Sequence, residues 1–321
     1  MDILNSVVAA IKNGQTFLVL AHEGPDGDAL ASTLALVNAL KEMGKEATAF
    51  NIDGVPAKFN FLPGADQVVT CLGGGQFFDV AFVLDVGELR RARLDVRPLC
   101  TTLINVDHHP FSEDFGDIYY VDDEASATAA LLYRVLTAMD HPFSPDVALC
   151  IYTAILSDTG SFRYSSANGE AFAIAGEMVD VGVDPWLVAG GLYESQEVER
   201  LQLLGHALNT LQVSDCGRCA AMHITTAMLD IVGVGSEFAD SFVNYPRSIK
   251  GVEVALFFRE TTATTFKLGI RSKGTIDVGA FARELGGGGH HNAAGAELTG
   301  SIDEVTQYTF ERIDKLLSEM V

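Results

Sequence analysis

The sequence predicts an α/β protein: a doubly wound, largely parallel sheet, with a second, smaller α/β domain joined to it by a linker. Three observations carry this. The chain has 321 residues, more than one compact core usually organises. Its first half alternates short apolar runs with segments that are apolar every three or four residues. After a stretch rich in Gly and Pro, the second half changes to strict apolar/polar alternation.

The opening "MDILNSVVAAIKNG" reads as a surface helix, because it has an acid at position 2, no basic start and only a short apolar run. "TFLVLAH" (16–22) is a first buried strand. "DALASTLALVNALKEMG" places Leu30, Leu34, Val37 and Leu40 on one helical face and stops at Gly44. "EATAFNI" (46–52), "DVAFVLD" (79–85) and "TTLINVD" (101–107) are further strands, and helical stretches follow near 125–139, 145–157 and 168–181. "GVDPWLVAGGLYESQE" lacks periodicity and reads as a hinge, and "VERLQLLGHALNTLQV" as a helix leading onward. The expected division is a first domain over 1–188, a linker and connecting helix over 189–212, and a second domain over 213–321. In that domain "VEVALFFRE" (252–260) and "TFKLGIRS" (265–272) flank a "TTAT" turn as a hairpin. "DVGAFARELG" is a helix with Asp277 as N-cap and Gly286 at C′, and "DEVTQYTFERIDKLLSEM" is a terminal amphipathic helix.

Apolar residues make up 48% and charged residues 20%, an ordinary globular balance. The net charge of −22 argues against a basic groove for long DNA or RNA. A short anion is still admissible where cations gather locally. Five cysteines without a framework spacing fit a reducing cytoplasm, and "CGRC" (216–219) reads as a turn because no second pair accompanies it. No apolar run approaches the roughly 18 residues of a membrane span.

The strand ends carry the chemistry. The first runs into "AHEGPDGDA" with His22, Asp26 and Asp28, the third into Asp85, and the fourth into Asp107, His108 and His109. Asp158 follows a helical run in "ILSDTGSF". Asp26 and Asp28 beside Pro25 and Gly27 also suit a plain turn. Ligands of open parallel sheets bind beyond the carboxyl ends of the strands, however, so these groups are expected to share one crevice. Clustered carboxylates repel and need a compensating cation. Mixed carboxylate and imidazole donors suit Mn, Fe, Co or Zn better than Ca. Paired divalent ions clamp the attacking and leaving oxygens of an in-line phosphoryl displacement, so the expected reaction is hydrolysis at phosphorus.

"AHEGPDGDA", the Asp85 segment, "VDHHP" and "SDTGSF", in that order, resemble the first four motifs of the DHH phosphoesterase superfamily. "GGGGHHNAAG" (286–295) resembles the signature of its partner domain, DHHA1, and "FVNYPRSIKGVEVALFFRE" resembles the stand-alone NrnA-type nanoRNase / pAp phosphatase subgroup. The resemblance implies that His22 and Asp26 bind one metal, that Asp28, His108 and Asp158 bind another, and that Asp85 bridges them. It makes Asp107 the residue that orients the histidines and His109 the contact to phosphate or leaving oxygen. It makes Arg271 and His290 substrate-binding. It implies two divalent ions, most of all Mn2+, with Mg2+, Fe2+ or Co2+ as alternatives. The implied substrates are short RNA oligonucleotides or nucleotides held between the domains, with no long nucleic acid and no membrane as partner, in a cytoplasmic protein that forms a homodimer.

The residues themselves agree. Gly287, Gly288 and Gly289 would let backbone N–H groups approach a phosphate. Arg271 shares the polar face of its strand with Lys267, where it could hold a phosphate bidentately. Ser126 and Thr128 lie at a helix start that suits an anion or, more simply, a cap, and Arg91 and Arg163 flank the metal motifs. Rival readings are a cyclic- or linear-dinucleotide phosphodiesterase, a RecJ-like exonuclease, a family II pyrophosphatase and a non-catalytic nucleotide-binding regulator.

Overall fold

The structure is a computed structural model that describes residues 3–319, with His290 described in its backbone only. It divides into two compact units, 1–195 and 196–321.

The first unit runs α1 (Ile3–Asn13), β1 (Thr16–Leu20), α2 (Gly27–Glu42), β2 (Glu46–Phe50), β3 (Phe78–Leu84), β4 (Cys100–Asp107), β5 (Ile118–Val121), α3 (Thr128–Ala138), α4 (Pro145–Asp158), α5 (Gly169–Val181) and α6 (Pro185–Tyr193). Its five strands are all parallel, in the order β2-β1-β3-β4-β5. Burial on both faces explains why the central strands read as unbroken apolar runs. Phe17, Val19, Phe82 and Val106 point into a core shared with α2, α3 and α4. Leu18, Leu20, Val83 and Leu103 point to the other face, where Val86, Ala92 and Val96 from irregular segments and single 3-10 turns cover them. In this order the chain reverses direction between β1 and β3, the place where open α/β sheets hold ligands.

The second unit runs α7 (Val198–Leu208), β6 (Gln212–Val213), β7 (Cys219–Ile224), α8 (Thr226–Val232), α9 (Asn244–Arg247), β8 (Val254–Thr262), β9 (Thr265–Ser272), α10 (Val278–Glu284), β10 (Gly288–His290), β11 (Ala293–Thr299) and α11 (Ile302–Glu319). Its mixed sheet has the order β10-β11-β9-β8-β7-β6, and only β7 and β8 are parallel. Leu256, Phe258, Leu268 and Ile270 pack on Phe281 of α10 and on Ile313 and Leu317 of α11. On the opposite face Phe257 meets Leu203 and Leu204 of α7 and Phe242.

Several local expectations hold. Asp277 caps α10 by accepting from Ala280 N at 2.9 Å, and Gly286 follows the C-cap at φ +80°. "CGRC" is the turn of the β6–β7 hairpin. Others need correction. The aperiodic stretch taken for a hinge contains α6, capped by Asp184 and opened by Pro185, with Val188 and Leu192 buried in the first core. Helix α7 belongs to the core of the second unit, so the interval 189–212 takes in the end of α6 and the whole of α7, and the units divide between Ser195 and Gln196. The glycine run takes part in the sheet. Residues 288–290 form a strand paired antiparallel with Ala293–Gly295.

Candidate metal centre

Each chemistry-bearing side chain stands just beyond a strand end or at a helix end. Asp26 caps α2, accepting from Ala29 N at 3.0 Å, and Asp28 follows in its first turn. Asp85 comes directly after β3 in the left-handed region, at φ +59°. A non-glycine residue in that region is uncommon, and such strain gathers at functional sites. Its amide still bonds Val106 O at 3.0 Å, so the chain stays tied to β4 while the side chain turns. Asp107 ends β4, and His108 and His109 follow. Asp158 is the last residue of α4. Gly27 lets the starts and ends of these helices meet. A Cβ there would lie 2.1 Å from Ser157 Oγ, so only glycine allows α2 to begin against the end of α4.

The side chains form two groups that share one carboxylate. His22 Nε2 lies 3.6 Å from Asp85 Oδ2 and 3.9 Å from Asp26 Oδ2. His108 Nε2 lies 3.5 Å from Asp85 Oδ1, 3.7 Å from Asp28 Oδ2 and 3.6 Å from Asp158 Oδ2. These gaps exceed N–H···O hydrogen bonds of about 2.7–3.2 Å. Bonds of about 2.0–2.2 Å set ligand atoms around a shared cation roughly 3–3.6 Å apart, which the gaps to Asp85 and Asp158 match and those to Asp28 and Asp26 exceed by a few tenths of an ångström.

The other ring nitrogens support the same reading. His22 Nδ1 is 2.7 Å from Glu23 O, and His108 Nδ1 is 3.2 Å from Ala125 O. A carbonyl only accepts, so both Nδ1 atoms carry the proton and both Nε2 atoms face carboxylates with a lone pair or an added proton. Such a donor set fits a pair of divalent ions. His109 differs: its Nδ1 makes a 2.7 Å hydrogen bond to Asp107 Oδ1, although Asp85 Oδ1 is also 3.5 Å away. Asp107 Oδ1 further accepts from the amides of His108 at 2.9 Å and His109 at 3.3 Å.

Burial sets the electrostatics. Asp28, Asp85 and Asp107 form a floor closed to solvent, whereas Asp26 (57% exposed), Asp158 (31%) and His109 (26%) form the open rim. Burial, reinforced by the Asp85 charge, pushes Asp28 up to about 8. Asp158 rises to about 6 through burial, with His108 opposing and Asp85 adding to the rise. Burial would raise Asp85 too, but the facing histidines, His22 first, outweigh it and bring Asp85 to about 2. Burial would lower His108, but Asp28, Asp85 and Asp158 overcome it and raise it to about 9. His22 and His109 also rise against burial, through Asp85 and Asp107 respectively. A site whose charges shift one another so strongly is short of positive charge.

Sequence reasoning did not foresee how Asp28 is held. It accepts from Thr128 N at 2.6 Å, Ala129 N at 3.2 Å and Ser32 Oγ at 2.7 Å, so the positive end of α3 rests on it. Thr128 Oγ1 also reaches Asp85 Oδ1 at 3.2 Å. Asn51 Nδ2 holds His22 O at 2.9 Å. The cap expected of Ser126 or Thr128 is absent: Ala127 is the N-cap and makes no side-chain bond. Ser126 is fully buried, and its hydroxyl has no partner among the described residues. Arg163 is exposed and folds back on Gly160 O at 2.6 Å. The backbone carbonyl of Arg91 accepts from Glu23 N at 2.7 Å, beside His22.

In the second unit Arg271 lines a cavity of about 450 Å³ with Arg259, Lys267, Phe257, Gly269 and Glu297. Gly287 and Gly289 face β11, where a Cβ would come within 2.0 Å of Gly295 O and 2.5 Å of Ala293 O, while the Cβ direction of Gly288 is open. The side chain of His290 lies outside the described residues. His291 Nδ1 stands 3.8 Å from Asp277 Oδ2.

Comparison with known proteins places residues 16–155 in the DHH family, N-terminal domain, and residues 231–319 in the DHHA1 domain. A protein of Thermus thermophilus named bifunctional oligoribonuclease and PAP phosphatase NrnA is 29% identical over 99% of this chain and 94% of its own length. A Bacillus subtilis protein of the same name is 25% identical over 98% of this chain and 96% of its own length. Among solved structures, an exopolyphosphatase-related protein from Bacteroides fragilis superposes with a TM-score of 0.92 at 28% identity, covering 98% of this chain and 97% of that one. No helix among the described residues is long and apolar enough to cross a membrane.

Proposed function

The chain belongs to the DHH family and pairs that domain with DHHA1, and on that premise we propose that it is a metal-dependent phosphoesterase that hydrolyses short RNA oligonucleotides to mononucleotides and dephosphorylates pAp. The observation that carries this reading is the division of Asp85. One of its oxygens faces His22 and the other faces His108, so a single carboxylate serves two donor groups.

His22, Asp26 and Asp85 would hold one divalent ion, and Asp28, Asp85, His108 and Asp158 the other, with manganese favoured by the mix of carboxylate and imidazole. When bound, such ions stabilise the charge that develops on phosphoryl oxygens during displacement. Asp107 fixes the ring of His109 through Nδ1. Asp107 raises the proton affinity of His109 against burial, and His109 would donate a proton to the departing oxygen. Thr128 and Ser32 keep Asp28 in place while the ligand exchanges. In the second unit Arg271, Lys267 and Arg259 line one cavity with Asp240 and Glu297, and Arg271 would take a phosphate there.

The names of the relatives support the substrate class. The net charge of −22 supports short ligands over long ones. The test is a panel: purified protein with Mn2+ or Mg2+, offered pApA, RNA of two to five nucleotides, pAp and a cyclic dinucleotide, with products separated by chromatography. Release of AMP from pApA and pAp by the wild type, abolished in Asp85→Ala, is expected. Near-native turnover by Asp85→Ala with metal chelated would refute the mechanism, and turnover of the cyclic dinucleotide alone would refute the substrate class.

A further inference from the structure

The loop after β4 places one large side chain where folding alone gives no reason for it. Phe111 is fully exposed, at 102%, and is the most exposed large apolar residue among those described. Its backbone lies at φ +64°, a region that bulky side chains rarely adopt. The loop is not slack. On one side His109 is tied to Asp107 through its amide and its ring. On the other, Ser112 receives Asn105 Nδ2 on its hydroxyl at 3.3 Å and Tyr119 OH on its carbonyl at 2.8 Å. Glu113 N bonds Gly87 O at 2.7 Å, and its carboxylate accepts from Leu89 N at 3.0 Å. A strained conformation held from both ends, presenting an aromatic ring to water two residues from His109, is the observation from which the proposal starts.

We propose that Phe111 is a stacking platform for a nucleobase, and that it makes this phosphoesterase selective for base-bearing esters without regard to base identity. The inference rests on the phosphoesterase reading above. Phe111 is two residues beyond His109, which limits the distance between their Cα atoms to roughly 7 Å. A nucleobase is one sugar away from its phosphate, so a phosphate at the rim of the centre brings a base into reach of this ring. Every base has a π face, so stacking tolerates any sequence, as an enzyme for mixed short fragments requires. Phe111 is thus a specificity-determining residue and not part of the metal centre.

The test compares wild type, Phe111→Ala and Phe111→Trp, all with Mn2+, on pApA and on the same dinucleotide lacking both bases. The substitution should not alter melting, because the side chain packs against nothing that folding needs. Phe111→Ala is expected to raise KM for pApA at least about five-fold, within the range of base–aromatic stacking. It should leave kcat, metal content and KM for the abasic analogue near wild type, and Phe111→Trp should restore KM. A dinucleotide carrying 2-aminopurine and a non-hydrolysable linkage, mixed with Mg2+-loaded protein, gives a readout free of turnover: wild type should quench its fluorescence and Phe111→Ala should not. An unchanged KM for pApA, or an equal rise for both substrates, overturns the proposal. If the wild type cleaves no base-bearing ester, the phosphoesterase reading fails first and takes this proposal with it.

Discussion

Loading the centre with metal should expel protons in a number that the geometry fixes. Asp28 and His108 are both shifted up and each acts on the other, so the pair as a whole keeps at least one proton at pH 7. An ion held by Asp28, Asp85, His108 and Asp158 needs all four as unprotonated donors, so it should displace at least one proton. Affinity for Mn2+ should therefore climb at least about ten-fold per pH unit near neutrality. The assay is isothermal titration calorimetry of metal-free protein in buffers of different ionisation enthalpy, where the slope of observed heat against buffer enthalpy counts protons. Asp28→Asn, which has no proton to give, should release about one fewer. A release near zero with pH-independent affinity would refute the claim that these side chains share an ion.

The same groups set the stability of the metal-free protein. Asp28, Asp158 and His108 hold protons more tightly folded than unfolded, so their contribution is complete below about pH 4 and is lost as pH rises through 6, 8 and 9. Asp85 acts oppositely, contributing above about pH 4 and losing its effect as pH falls through about 2. Melting temperature in EDTA should fall between pH 5 and 9, and Asp28→Asn should flatten that fall; an unchanged slope counts against the Asp28 assignment. Gly27→Ala drives a Cβ to 2.1 Å from Ser157 Oγ. It should lose about 1–3 kcal/mol in urea unfolding and weaken metal binding, with Ser157→Gly restoring both. Arg271→Ala should raise KM for pApA by roughly ten- to a hundred-fold, as expected for loss of a charge-assisted phosphate contact. Its metal content by atomic absorption should stay at the wild-type level, and lost metal would contradict the division of labour between the two units.

Much of the first unit was legible because its central strands are buried on both faces and write themselves as continuous apolar runs. The residues proposed as ligands were legible because each stands where such a run stops: His22 after β1, Asp85 after β3, His108 after β4. Strand β5 was not, since its four residues Ile118–Val121 are all half-buried and two are tyrosines. Helix α6 escaped because Trp186 and Leu187 are exposed beside buried Val188, which erases the period that marks an amphipathic helix. The glycines of β10 suggest a loop by composition. Only the pairing with β11 shows that Gly287 and Gly289 are small because another backbone lies against them. The support of Asp28 by Thr128 spans 100 residues of chain, and no local pattern records a contact that only folding creates.

That support explains how so acidic a pocket can exist before any ion arrives. Asp158 stands at the C-terminal end of α4, where the helix carbonyls oppose a negative charge. Asp28 stands against the N-terminal end of α3, where the amides favour one. The two carboxylates that face His108 thus sit in opposite helix fields. The favoured one is buried and tied by three hydrogen bonds, and the disfavoured one keeps a share of solvent at the rim. His22 and His108 are oriented by backbone carbonyls, and His109 by Asp107. Every ring is therefore aimed by the protein, and the ion's part is to compensate charge in a cage whose shape the backbone already sets.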